Sequence, residues 1–383
     1  MTTPAPLTCY ATATPGLEAV LVEELAALGH RAVPDAGGAE FSATSPVLAD
    51  ALLRLRTASR LVVRMAQFRA RTFAELERHG GKVDWGSVVP AGMPVHFRVT
   101  SKKSRLYHQD GIAERLERCV AAAVGDSPAV RAPADAESRE DDVTRLPEVQ
   151  RFVVRVFRDE VSISADASGA LLHRRGWRQD VARAPLRETL AAAMLAAIGG
   201  TGDVPLHAPF MGSGTIPIEA ALLARRMVPG RGRRFAAEQW PGLDAAFLAA
   251  RTRAGAGELP RAAVPIGGSD RDPGGTMAAI ANAERAGVVL DVAFSRATVS
   301  ALPPDDGPGL LITNPPYGVR VGELTALRSL YAALGNVLRD QRPNWQLAML
   351  VNDRVLQGQV GVPLREVFRT TNGGLAVRMV ATR

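Results

Sequence analysis

Lysine is nearly missing from this chain. Of its 46 cationic residues only Lys82, Lys102 and Lys103 are lysines. With Ala and Gly abundant, that skew points to coding bias, so arginine content alone says little about function. Cysteine is almost as scarce. Cys9 and Cys119 stand far apart with no CxxC neighbour, which excludes a disulfide framework and a cysteine-rich zinc site. The six histidines form no HxxxH or HExxH pair, so no metal centre is expected. No apolar run approaches the ~20 residues of a membrane-spanning helix. The N-terminus carries no basic segment followed by an apolar core, so no signal peptide is expected and a cytoplasmic location is the default. What remains is an ordinary globular composition, 46% hydrophobic and 22% charged over 383 residues, enough for two or three domains. The net charge of +7 favours a polyanionic partner.

The most informative stretch is Asn314-Pro315-Pro316-Tyr317. The preceding Leu310-Leu311-Ile312 reads as a short buried strand, which two prolines then forbid from continuing. An Asn carboxamide, a backbone carbonyl and an aromatic ring are thereby fixed at a strand mouth, where open parallel sheets bind ligands. The trio suits a planar ring bearing an exocyclic amine. Asn314 Oδ1 and the Pro315 carbonyl can each accept one N–H, leaving the amine lone pair directed at an electrophile. Tyr317 can stack on the ring, worth ~1–3 kcal/mol per base.

Around this motif the chain divides into four parts. Residues 1–65 read as a small α+β domain of strand, helix, strand and helix, with Leu17, Val20, Leu21 and Leu25 on one helical stripe. Residues 66–165 form a second α+β unit. Its alternating strand Val95 to Val99 leads through a basic loop, Ser101-Lys102-Lys103-Ser104-Arg105, into a helix from about Gln109 to Val124. That loop is a candidate phosphate cradle. Residues 125–147 read as a mobile connection, and Phe152 to Phe157 with Val161 to Ala165 as a hairpin. Residues 166–185 are a linker containing the basic run Arg174-Arg175-Gly176-Trp177. Its Trp either stacks on a base or packs at a domain interface. From 186 to 383 helices and strands alternate, the pattern of a doubly wound α/β domain with a closing hairpin around Asn372-Gly373-Gly374.

A second motif, Gly212-Ser213-Gly214-Thr215, lies between the first strand of that domain and its helix. The glycines permit close backbone approach to a ligand, and Thr215 is placed to cap the helix. Pro217 replaces the third glycine of a dinucleotide fingerprint. Asp270, after the second strand, can accept from two ribose hydroxyls. Together these elements predict one crevice holding a nucleoside cofactor beside a held amine.

At this point the sequence resembles the THUMP-domain RNA methyltransferases of the guanine-N2 class. The resemblance rests on Pro209-Phe210-Met211-Gly212-Ser213-Gly214-Thr215, Pro185-Leu186-Arg187-Glu188-Thr189-Leu190, Asn314-Pro315-Pro316-Tyr317-Gly318 and Leu172-His173-Arg174-Arg175-Gly176-Trp177-Arg178, and covers nearly the whole chain. It implies a ferredoxin-like domain and a THUMP domain that grip structured RNA, followed by a class I, Rossmann-like methyltransferase domain. S-adenosylmethionine would lie against Pro185, Glu188, Thr189, Phe210, Gly212, Ser213, Gly214, Thr215 and Asp270. The target amine would lie at Asn314, Pro315, Pro316 and Tyr317. RNA would meet Lys102, Lys103, Arg105, Arg174, Arg175 and Trp177. Two positions depart from the family pattern. Ala208 stands where an acidic residue is usual, and Thr298 aligns with an Asp that contacts the adenine.

The expected activity is therefore metal-free methylation of a guanine N2 amine in structured rRNA or tRNA. Adenine-N6 methylation of DNA is the alternative with the same chemistry. A catalytically weak RNA-binding pseudo-enzyme is the alternative of another class.

Overall fold

The computed structural model describes residues 6–125, 128, 142–180, 186–200, 202–317 and 324–382. Of the expected connection at 125–147, residues 126, 127 and 129–141 lie outside the described residues, as do Pro185 and Gly318. Among the described residues no helix is long and apolar enough to cross a membrane.

The first 166 residues build one seven-stranded sheet. In chain order the elements are β1 (Leu7–Thr12), α1 (Glu18–Ala27), β2 (Ala32–Asp35), β3 (Gly38–Ala43), α2 (Ser45–Arg54), β4 (Arg60–Arg69), α3 (Phe73–Gly80), β5 (Val95–Lys102), α4 (Gln109–Val124), β6 (Gln150–Phe157) and β7 (Glu160–Asp166). The strand order is β2-β3-β1-β4-β7-β6-β5. β4 lies in the middle and pairs antiparallel with both β1 and β7. The expected division between residues 65 and 66 thus falls inside a strand. At that point a bulge between Arg64 and Ala66 shifts the register against β7, so the two α+β units share a sheet across a local kink. Leu17, Leu21 and Leu25 of the α1 region and Leu48 and Leu52 of α2 bury their stripes against the β1–β3 part. In the other part Trp85 packs edge-on against Phe97 and Phe152, and its indole N–H donates to the Gly80 carbonyl at 2.9 Å. The β6–β7 turn places Arg158 and Asp159 at φ of 52° and 65°, both in the left-handed region that a tight two-residue hairpin requires.

The second sheet begins after α5 (Glu188–Ala196). Its elements are β8 (Leu206–Pro209), α6 (Thr215–Ala224), α7 (Asp244–Ala256), β9 (Ile266–Asp270), α8 (Pro273–Ala286), β10 (Val292–Arg296), β11 (Gly309–Thr313), α9 (Leu324–Asn336), β12 (Trp345–Val351), α10 (Arg354–Gln359), β13 (Arg365–Asn372) and β14 (Leu375–Ala381). The order is β10-β9-β8-β11-β12-β14-β13, parallel through β12 and antiparallel beyond it. This is the doubly wound arrangement the sequence predicts. Each central strand is buried on both faces with a period of two. Leu310, Ile312, Ala348 and Leu350 join the core that includes α5, α6 and α8. Leu311, Leu347, Met349 and Val351 join Leu327, Tyr331 and Leu334 of α9 and Leu356 of α10.

The two sheets are locked together by buried polar contacts. Glu219 of α6, 1% exposed, pairs with Arg175 Nε at 3.2 Å and Arg56 Nη1 at 3.6 Å. Arg175 also donates to the Leu172 and Arg56 carbonyls. Arg233, 2% exposed, donates to the carbonyls of Ser168, Ala170, Leu171 and Arg174, and burial pushes its pKa down to about 9. α7 packs on α2, and the Thr370 hydroxyl of β13 donates to the Pro15 carbonyl at 2.9 Å.

Candidate active site

The sheet changes direction between β8 and β11. From β8 the chain builds outward to β9 and β10, then returns to β11 on the other side. In open α/β sheets the loops leaving the carboxyl ends of such a strand pair part to form the ligand crevice. The Thr313 hydroxyl donates to the Pro209 carbonyl and ties the two strand ends together at its floor.

On the β8 side the loop is held in a tight left-handed path. Phe210, Gly212 and Gly214 have φ of 56°, 53° and 83°. The first is a side-chain-bearing residue in a region that favours glycine, a conformation that costs of order 1–3 kcal/mol and clusters at ligand sites. Gly214 is required for a second reason. A Cβ there would stand 2.8 Å from Ala279 Cβ, so α6 could not approach α8 as closely. Asp270 clamps the loop: one carboxylate oxygen accepts from the Gly212 N–H at 2.9 Å, the other from the Asp272 N–H at 2.9 Å. Each oxygen keeps one lone pair, so the expected capacity for two hydroxyl donors remains. The helix cap differs from expectation. Gly214 in the left-handed conformation is the N-cap of α6, with no side-chain cap bond, and Thr215 is its buried first residue. Ser213 is also buried, and its carbonyl accepts from Asn282 Nδ2 at 3.0 Å. Asn282, fully buried, in turn binds the backbone of Gln179 and Asp180, and so joins the loop to the linker.

On the β11 side Asn314 is half-buried, yet its Oδ1 is wholly buried and has no hydrogen-bond partner among the described residues. Pro315 is buried and Pro316 exposed. The Tyr331 hydroxyl of α9 donates to the Pro316 carbonyl at 3.5 Å. Tyr317 is half-buried, and its hydroxyl accepts from Asn372 Nδ2 at 2.6 Å. Burial raises its pKa, and the Asn372 bond opposes that rise.

Two further acceptors lie at the start of α5. Glu188 is 1% exposed, and burial pushes its pKa up to about 7 although Arg178 Nε stands 3.1 Å from Oε1. Glu188 Oε2 and Thr189 Oγ1 are buried with no partner among the described residues. A native interior rarely leaves such groups unpaired without a role for them. Thr298 is exposed just beyond β10, where its backbone carbonyl closes a short turn.

The basic residues separate into two groups. Lys102, Lys103 and Arg105 are exposed together at the end of β5. Their loop is braced by Asp159, which accepts from the Arg105 N–H at 2.8 Å, and by Ser104. Arg174 is half-buried. Arg175 and Trp177 do not face a surface at all. Both are about 5% exposed, Arg175 among Glu219 and two carbonyls and Trp177 in the apolar core, which corrects the expectation that they meet RNA. Trp177 is therefore not placed to stack on a base at the surface. Among the described residues no cluster of His, Cys, Asp and Glu is arranged to hold a metal ion. Sequence reasoning treated Asn372 only as a turn residue and did not single out Asn282 or Glu219. Nothing local to those positions signals contacts with residues 44 to 163 positions away.

The arrangement offers a glycine cradle with an acidic clamp beside a buried, unpaired amide acceptor and an anchored aromatic ring. Comparisons with known proteins bear on the family and the fold. A family model described as "RMKL-like, methyltransferase domain" matches residues 175–378, and one described as "RlmL ferredoxin-like domain" matches residues 8–62. The chain is 34% identical over 399 residues to "Ribosomal RNA large subunit methyltransferase K/L" of Syntrophotalea carbinolica, covering 98% of this chain and 53% of that protein. It thus spans about half the length of that relative. It is 30% identical to "Putative RNA methyltransferase slr0064" of Synechocystis, covering 96% of this chain and 94% of that one. A crystal structure of SMU.472, described as "a putative methyltransferase complexed with SAH", superposes with a TM-score of 0.85 at 27% identity, over 100% of this chain and 98% of that one.

Proposed function

The chain belongs to the RMKL-like methyltransferase family, and on that premise we propose that it methylates the exocyclic N2 amine of a guanine in structured RNA, using S-adenosylmethionine. The observation that carries this reading is the buried Oδ1 of Asn314 at the topological switch point, which has no partner among the described residues.

The residues fit the cofactor. Asp270 has lone pairs to spare for ribose hydroxyls, and the glycine loop leaves its backbone open to close approach. Glu188 Oε2 and Thr189 Oγ1 are acceptors awaiting donors, suited to an ammonium group. When bound, S-adenosylmethionine supplies a methyl group on a sulfonium that is already a good leaving group. The protein's task is then orientation. Asn314 Oδ1 and the Pro315 carbonyl take one N–H each from the amine, and Tyr317, held by Asn372, fixes the base plane. Unstacking the base costs about a few kcal/mol, offset by phosphate contacts on the N-terminal module. Residues 66–165 are assigned to that module as a THUMP unit, with Lys102, Lys103 and Arg105 its exposed cations.

The test is radiolabelled methyl transfer to RNA from a host lacking the gene, followed by nucleoside mass spectrometry. N2-methylguanosine that disappears with Asn314→Ala is expected. Label in DNA as N6-methyladenine, and none in RNA, would overturn the reading.

A further inference from the structure

A second polar site lies two strands away from Asn314. Between α10 and the closing hairpin an open pocket of about 310 Å³ is lined by Arg354, Gln357, Gly358, Val362 and Arg378. Its position follows from the strand register. Thr313 pairs with Met349, and Val351, two residues further toward the carboxyl edge, pairs with Arg378. Arg378 therefore stands at the same edge of the sheet as the Asn-Pro-Pro-Tyr motif, displaced by two strand spacings, about 10 Å. The same hairpin carries Asn372, which holds Tyr317.

The pocket carries one unpartnered acceptor and one unpartnered donor among the described residues: Gln357 Oε1 is buried without a hydrogen bond, and so is one nitrogen of Arg378. The Arg378 side chain is 16% exposed, yet its Nη2 is buried with no hydrogen-bond partner among the described residues. Its Nη1 lies 3.9 Å from Glu366 Oε2, outside hydrogen-bond range. Glu366 is engaged elsewhere, accepting from Arg369 Nε at 2.5 Å through its other oxygen. That bond lowers the Glu366 pKa most, and the charges of Arg369, Arg378 and Arg354 add to it. One carboxylate thus faces three guanidiniums, and the surplus charge is positive. Arg354 is exposed and the Arg378 side chain keeps 16% of its surface open. A tetrahedral oxyanion matches such a pair, because a guanidinium presents a planar fork of donors to phosphate.

We propose that this pocket binds a backbone phosphate of the RNA next to the target nucleotide, fixing the strand while the base enters the crevice. The proposal rests on the reading of the protein as an RNA methyltransferase, and deepens it by naming where the strand is held. Arg354 and Arg378 are the phosphate ligands.

The test uses the full chain and three variants, Arg354→Gln, Arg378→Gln and the double substitution. Two measurements are made: methyl transfer to ribosomal RNA from a host lacking the gene, and anisotropy of a fluorescein-labelled mixed-sequence RNA at several salt concentrations. The double variant is expected to raise the RNA KM about tenfold and to flatten the dependence of log affinity on log salt by about 1. kcat at saturating RNA and the affinity for S-adenosylmethionine stay unchanged. Arg354 is exposed, so its substitution tests the pocket without disturbing the fold. If the wild type methylates RNA and the variants keep its KM and salt slope, the pocket assignment is wrong and the function stands. If the wild type methylates no RNA, the function falls, and the salt slope still decides the pocket. Inorganic phosphate that binds the pocket without competing with RNA would identify a free-anion site and overturn the proposal.

Discussion

Asn314→Ala separates a functional side chain from a structural one by moving stability and activity in different directions. A buried acceptor left without a donor costs the folded state about 1–3 kcal/mol. Asn314 Oδ1 is such an acceptor. Removing it relieves that cost while giving up some packing, so the variant should be as stable as the wild type or slightly more so. For a chain of this length one kcal/mol moves the melting temperature by only about 1–2 °C if unfolding is cooperative. Activity should respond far more. Losing one preorganised hydrogen bond to the reacting group typically lowers kcat about 10²–10³-fold, or ~2.7–4 kcal/mol of transition-state stabilisation. The assay pairs steady-state methyl transfer with calorimetric cofactor binding and thermal melting on the same preparation. The expected pattern is a collapsed kcat, unchanged cofactor affinity and an unchanged or raised melting temperature. A variant that melts several degrees lower and loses activity only in proportion to its folded fraction would refute the reasoning, because Asn314 would then be a structural residue with a partner that escapes the described contacts.

Asn372→Ala should free the Tyr317 ring and cost about 1 kcal/mol, seen as a five- to tenfold fall in kcat/KM for RNA with cofactor affinity intact in single-turnover kinetics. Burial pushes the Glu188 pKa up to about 7, and its ionised form is the one that attracts a cationic ammonium. Calorimetry should therefore show cofactor affinity falling as pH drops through 7, a dependence that Glu188→Gln removes. The same raised pKa acts oppositely on folding: its stabilising contribution is fully present below the ordinary Glu range and is lost as pH rises through 7, which melting curves from pH 5 to 8 would register. Gly214→Ala places a Cβ 2.8 Å from that of Ala279 at a φ of 83°. It should destabilise by roughly 1–3 kcal/mol, and adding Ala279→Gly should recover only the steric share, leaving the backbone strain in the melting temperature.

The legible parts of this molecule are those whose signal is local. α8 runs from Pro273 to Ala286, as its proline start and glycine stop predict; β8 ends at Pro209, β9 at Asp270, and β11 at Thr313, with Asn314 between it and Pro315. β4 was not legible, because it is buried on both faces at Leu61, Val62 and Val63 and then broken by a bulge, which removes a simple alternation. α7 escaped for a related reason: Asp244–Ala256 is alanine-rich and has no distinct apolar stripe, yet it buries Phe247 and Ala250. Arg175 misled in the opposite sense. Charge suggested a surface, but Glu219 and two carbonyls surround the guanidinium and make its burial tolerable. Asn372 reads as a turn residue until the fold brings it to Tyr317, 55 positions away.

The buried charges between the two sheets bear on how such a protein uses its N-terminal half. α6 starts at Gly214, in the loop that forms one wall of the crevice, and one turn later carries Glu219, whose carboxylate meets Arg175 from the linker and Arg56 from the first sheet. One ten-residue helix therefore touches both the crevice and the joint. A surface contact there would permit the modules to swing. A carboxylate and guanidinium at 1% and 2% side-chain exposure do not, since separating them leaves each charge buried and unpaired, at ~3–5 kcal/mol. The Lys102–Arg105 loop belongs to the sheet that Arg56 anchors, so its position relative to Asn314 is set by packing. On the proposed function, an RNA held at that loop would present to the crevice only nucleotides at the built-in separation, and its target would be selected by RNA shape more than by base sequence.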